Sequence, residues 1–71
     1  MVEYEIIAKK TNFGDNRFEN FFNRFGLKNK SIKIGNDEKS LIYEVERQKR
    51  LSPGEIGQIE FVVGIYSVME V

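Results

Sequence analysis

The chain predicts an α+β fold, a small antiparallel sheet of about four strands packed against a Phe-rich helix. Three observations carry this expectation. Residues Val2 to Lys9 alternate apolar and polar with a period of two. Phe18, Phe21, Phe22 and Phe25 recur at i, i+3, i+4 and i+7, which lines four rings along one helical face. Two further strand-like runs, Ser31 to Ile34 and Lys39 to Arg47, flank the turn-forming residues Gly35, Asn36, Asp37 and Glu38. With 71 residues, one domain covering 1–71 and a single core are expected.

The first strand puts Val2, Tyr4, Ile6 and Ala8 on one side and Glu3, Glu5, Ile7 and Lys9 on the other, the pattern of a half-buried strand. Thr11 to Asp15 then supply turn residues. Asn16 with Glu19 three positions on forms a capping box, and Asp15 adds negative charge where the helix dipole favours it. Gly26 suits the left-handed residue that closes a helix, with Leu27 as the apolar contact of a Schellman ending. A helix of about ten residues does not persist alone in water, so its Phe face must pack on the sheet. Burial of each ring contributes about 1.5–3 kcal/mol. In the hairpin that follows, pairing Ile34 with Lys39 brings Ile32 opposite Leu41, so the inward sets of both strands agree.

From Ser52 two readings compete. Ser52-Pro53-Gly54-Glu55 reads as N-cap, proline at N1 and glutamate at N3, opening a helix through Val63 that Gly64 ends. The same residues suit a type II turn, after which Ile59, Phe61, Val63 and Ile65 share one face of a strand. Against the helix stand Gly54 and Gly57, and Phe61 falls opposite the stripe of Ile56, Ile59 and Val63. With the helix the order is βαββαβ, the ferredoxin-like arrangement. Without it the order is βαβββ, one helix over a meander. Ile65 to Val71 form a strand in both.

The absence of histidine and cysteine bounds the chemistry most sharply. These side chains supply most acid–base work near neutral pH, most thiolate nucleophiles and most transition-metal ligation. The glycines fall into neither a P-loop nor a dinucleotide fingerprint, and no cofactor or metal is expected. Eleven basic residues balance eleven acidic ones, so net charge steers the chain toward neither nucleic acid nor an acidic surface. The balance conceals a basic stretch from Lys9 to Lys33 and an acidic one from Ile34 onward. No apolar run approaches the ~20 residues of a membrane span, and the acidic opening does not resemble a secretory signal. A soluble cytoplasmic protein is the expectation.

A non-catalytic factor that binds another macromolecule, most simply a protein, fits this pattern. Its contacts are expected on the back of the Phe helix at Arg17, Asn20, Arg24 and Lys28, where guanidinium and amide groups grip carboxylates, phosphates or backbone groups. An ordinary solvated face explains the same residues. A composition rich in Asn, Lys, Ile and Phe fits a phage or mobile-element accessory protein, for example an inhibitor. One alternative is a nucleic-acid-binding module using that face with Lys30, Lys33 and the Arg47–Arg50 cluster, although no aromatic residues interleave with these charges. Strands presenting Glu3, Glu5 and Glu44 also lack the stacking aromatics of an RNA-recognition motif. Another alternative is a structural homo-oligomer joined by a strand edge, or by an apolar strip of Ile7, Ile42, Tyr66 and Val68 on the open sheet face. That face would also carry Glu3, Glu5, Glu44 and Glu46, most simply neutralised by nearby cations such as Lys9, Lys33 and Arg47.

Overall fold

In the computed structural model, residues 1–10 and 18–71 are described in full, together with the backbone of Arg17. The elements run β1 (Val2–Lys9), α1 (Arg17–Arg24), β2 (Lys28–Ile34), β3 (Ser40–Arg47), α2 (Pro53–Glu60) and β4 (Ile65–Glu70). The strands form one sheet in the order β2-β3-β1-β4, with every neighbouring pair antiparallel. β1 and β2 are therefore parallel to each other with β3 between them, and β3 and β4 are parallel with β1 between them. Each parallel pair is joined through a helix, which gives two interleaved β-α-β units. The expected turn at 11–15 and the cap at Asn16 lie outside the described residues.

One face of the sheet carries the core. The rows Ile32–Tyr43–Ile6–Val68 and Ile34–Leu41–Ala8–Ile65 cross it beneath the helices. Tyr4, Ile6, Ala8, Tyr43, Val45 and Ile65 from the sheet are buried with Phe18 and Phe22 of α1 and Ile59 of α2. The Phe22 ring meets Tyr43 edge-on at a centroid distance of 5.3 Å, and Phe18 meets Tyr43 at 6.1 Å. Phe21 and Phe25 pack on the margin of this cluster. The helix closes as expected: Gly26 adopts φ 70°, Leu27 N–H donates to the Phe22 carbonyl at 3.1 Å and Gly26 N–H to Asn23 at 3.0 Å. These are the paired bonds of a Schellman ending, and Leu27 is buried behind them.

The strand reading of Ile59 to Ile65 is overturned, because Pro53–Glu60 is helical. Ser52 caps α2, its side chain accepting from Glu55 N–H (3.2 Å) while Glu55 Oε1 accepts from Ser52 N–H (2.9 Å). The helix stops at Glu60 rather than continuing through Val63. Phe61 does fall opposite the buried stripe, and it is left in solvent.

The hairpin register also differs from expectation, with Ile34 opposite Leu41 rather than Lys39. A shift of two residues preserves the faces. Its cause is a longer loop, 35–39, strapped by Asp37, whose Oδ1 accepts from Lys39 N–H (2.9 Å) and from Ser40 Oγ (3.0 Å). β2 starts three residues earlier than expected and bulges between Asn29 and Ser31.

Arg47 ties the other end of the sheet together. Its guanidinium donates to the carbonyls of Phe25 (2.8 Å), Lys49 (2.7 Å) and Arg50 (3.1 Å), and grips Glu55 through Nη1 (3.0 Å) and Nη2 (2.8 Å). That clasp joins the end of α1, the β3–α2 connection and the first turn of α2. The Arg47 guanidinium, aided by the Ser52 N–H, holds the Glu55 carboxyl down at about 2, against 4.5 for an ordinary glutamate. A depressed folded-state pKa stabilises the fold above pH 4.5, and this contribution drains away as pH falls from 4.5 through about 2. Denaturant midpoints measured from pH 7 to pH 2 should therefore fall less steeply for E55Q than for the wild type. The two curves should converge at the acid end, and parallel curves would show that Glu55 is not the group titrating.

Candidate functional site

The face of the sheet away from the helices holds the predicted carboxylates. Glu3 lies opposite Glu46 and Glu5 opposite Glu44. Three of the four are paired within the sheet: Lys30 Nζ is 2.6 Å from Glu3 and 3.7 Å from Glu46, and Lys33 Nζ is 2.6 Å from Glu44. The hydrogen bond from Lys33, with the attraction between the two charges, lowers the Glu44 pKa and raises that of Lys33. Lys33 thus acts as expected and Lys30 joins it, whereas Lys9 makes no ion pair among the described residues and Arg47 turns to Glu55 instead. Arg50 is likewise engaged, by Glu70 at 2.6 Å. Among the described residues, no group of three or more acidic side chains is placed to hold a metal ion, and no helix is long and apolar enough to cross a membrane.

The predicted contact residues do not share one face. Asn20 and Arg24 are exposed one turn apart on α1. Arg17 opens that helix, with its side chain outside the described residues. Lys28 starts β2 opposite Glu46, in the sheet row that continues to Glu3. The apolar strip is corrected too. Ile7 and Ile42 are neighbours on the open face, but Val68 lies opposite Ile6 and packs against the core.

Sequence reasoning missed a cluster at one end of the sheet, where β1 runs out, the β2–β3 hairpin turns and β4 begins. Lys10 N–H donates to the Lys39 carbonyl (3.0 Å) and Lys9 N–H to the Gly64 carbonyl (2.6 Å). These bonds gather Lys9, Lys10, Glu38, Lys39 and Tyr66 around a shallow concavity. Tyr66 is the extra residue of a β-bulge, since the pairing of β1 passes from Ile7 opposite Ser67 to Ala8 opposite Ile65. Tyr66 is 61% exposed, whereas Tyr4 and Tyr43 are buried. Beside it stands the turn 61–64. Phe61 N–H donates to Gly57 (3.0 Å), Val62 N–H to Ile59 (3.2 Å) and Ile65 N–H to Val62 (3.1 Å), and Val62 packs on the core. Gly64, at φ 97°, closes the turn so near Phe18 that a Cβ there would sit 3.1 Å from its Cζ. The backbone is held, yet Phe61 is 90% and Val63 95% exposed. The signal available in advance was the β1–β3 pairing, which necessarily brings Lys9 and Lys10 beside Lys39.

No protein family, curated protein or solved structure matches the chain.

Proposed function

We propose that this protein is a small, non-catalytic regulatory factor that captures a protein partner through the turn between α2 and β4. The observation behind this reading is the pair Phe61 and Val63, almost wholly in solvent on a turn whose backbone is bonded at both ends. A scattered exposed apolar residue is ordinary. Two large ones, separated by a single buried-side residue, offer an aromatic anchor on a backbone already held in position. Anchors of this kind dominate protein interfaces because little ordering entropy is lost when they bind. The partner surface that fits them is an apolar pocket.

Affinity capture from host lysate, with nuclease present, tests the reading. The wild type should retain a stoichiometric protein, and F61S/V63S should retain at least tenfold less. Both substitutions replace solvent-exposed side chains, so the thermal midpoint should stay near that of the wild type. Equal retention by the two proteins removes the assignment. If the captured protein is the chain itself, and sedimentation shows a concentration-dependent dimer that F61S/V63S abolishes, the homo-oligomer reading replaces it.

A further inference from the structure

Beyond protein capture, and independently of it, we infer that the concavity of Lys9, Lys10, Lys39 and Tyr66 binds single-stranded nucleic acid. The lysines contact backbone phosphates and the tyrosine ring stacks on a base.

Charge allocation is the first argument. Lys30, Lys33, Arg47 and Arg50 are each committed to a glutamate elsewhere in the fold. Lys9, Lys10 and Lys39 have no ion pair among the described residues, and Glu38 is the one carboxylate that joins them around the concavity. With Asp37 tied into the loop backbone beside them, the three lysines still outnumber the two carboxylates, Asp37 and Glu38, at this end of the described fold, so a chain with no net charge keeps a local positive excess where anions collect.

Residue chemistry is the second. The cations here are all lysines, which meet phosphate as point charges, rather than arginines suited to bidentate carboxylate pairing. Tyr66 supplies a flat aromatic face within the same concavity, and lysines beside an exposed ring are the elements of sequence-tolerant strand binding. An acidic peptide would use the lysines but would leave the ring without a matching group.

Preorganisation is the third. Lys39 is carried by a loop strapped through Asp37, and Tyr66 by a bulge hydrogen-bonded into the sheet. The backbone positions that present these side chains are therefore set before a strand arrives.

The test is fluorescence anisotropy of 5′-labelled dT10 with the full chain, across a potassium chloride series. Three neutralised phosphates predict a log–log salt slope of about −2, a loss of roughly 15–20-fold between 50 and 200 mM. K9E/K10E/K39E should abolish binding at 50 mM. Y66A should weaken it by about tenfold with the salt slope unchanged, as removal of one stacked base requires. F61S/V63S should bind as the wild type does, which keeps this test separate from the protein-capture reading. Far-UV circular dichroism checks that each variant is folded, and the substituted side chains are all exposed. Absence of dT10 binding overturns the inference, as does binding indifferent to the lysine reversal or to Y66A. Displacement of dT10 by tripolyphosphate at equal phosphate concentration would overturn it in favour of a small-anion site. Equally tight binding of a hexaglutamate peptide would overturn it in favour of an acidic protein contact.

Discussion

Replacement of Phe22 by alanine should leave the protein largely unfolded near physiological temperature. Phe22 is fully buried, between Phe18 on its own helix at 6.3 Å and Tyr43 on β3 at 5.3 Å, centroid to centroid. Its carbonyl also receives the Leu27 N–H that closes α1. Truncating a core phenylalanine costs about 3–5 kcal/mol. A domain of this length has a total stability of roughly 4–10 kcal/mol. The expected fall in thermal midpoint is roughly 12–40 °C, at about 4–8 °C per kcal/mol for a small domain. F25A, which removes a ring from the margin of the same cluster, should cost less than half as much. A melting curve for F22A within a few degrees of the wild type would mean that the helix is not held by this ring.

Arg47 should rank next. R47A removes a donor set that satisfies three backbone carbonyls and the Glu55 carboxylate at once. The Arg47 side chain keeps 16% of its surface exposed and that of Glu55 32%, so solvent screens part of the loss. About 2–3 kcal/mol of destabilisation is expected from the broken charge-assisted bonds. R47K should recover less than half of it, because a single ammonium cannot span the Phe25, Lys49 and Arg50 carbonyls while gripping both Glu55 oxygens. Chemical denaturation of the three proteins at pH 7 decides the matter. If R47K matches the wild type, charge rather than the guanidinium fork holds this end of the fold.

The two clusters at opposite ends of the sheet differ in how visible they are in the chain. Arg47, Lys49 and Arg50 read as a surface charge run, yet Arg47 turns inward and Arg50 pairs with Glu70, twenty residues on. Lys9, Lys10 and Lys39 do not read as one patch in the chain, because about thirty residues separate the first two from the third. Antiparallel pairing of β1 with β3 makes them neighbours. A patch assembled from distant segments has no local signature. Lys28 shows the converse: it is near Arg24 in the chain, yet it has already entered the sheet rather than continuing the helix.

Elements governed by short-range physics were legible. β1 alternates apart from Ile7, and its inward residues Tyr4, Ile6 and Ala8 are those the period assigns. The Phe spacing located α1, and Gly26 located its end, because backbone sterics at a left-handed residue act within two or three positions. The segment from Pro53 was different. Its capping box and its strand-like alternation are both local and nearly balanced, so neither could decide. Tertiary contacts broke the tie: the Arg47 guanidinium holds Glu55 in the first turn, and the core encloses Ile59. The sequence by itself thus determined the α+β class, the core face of β1 and the closure of α1. Only the tertiary structure decided the identity of α2, the hairpin register, and which charges of the described residues are paired and which are not, since each depends on groups that meet only after the chain has folded.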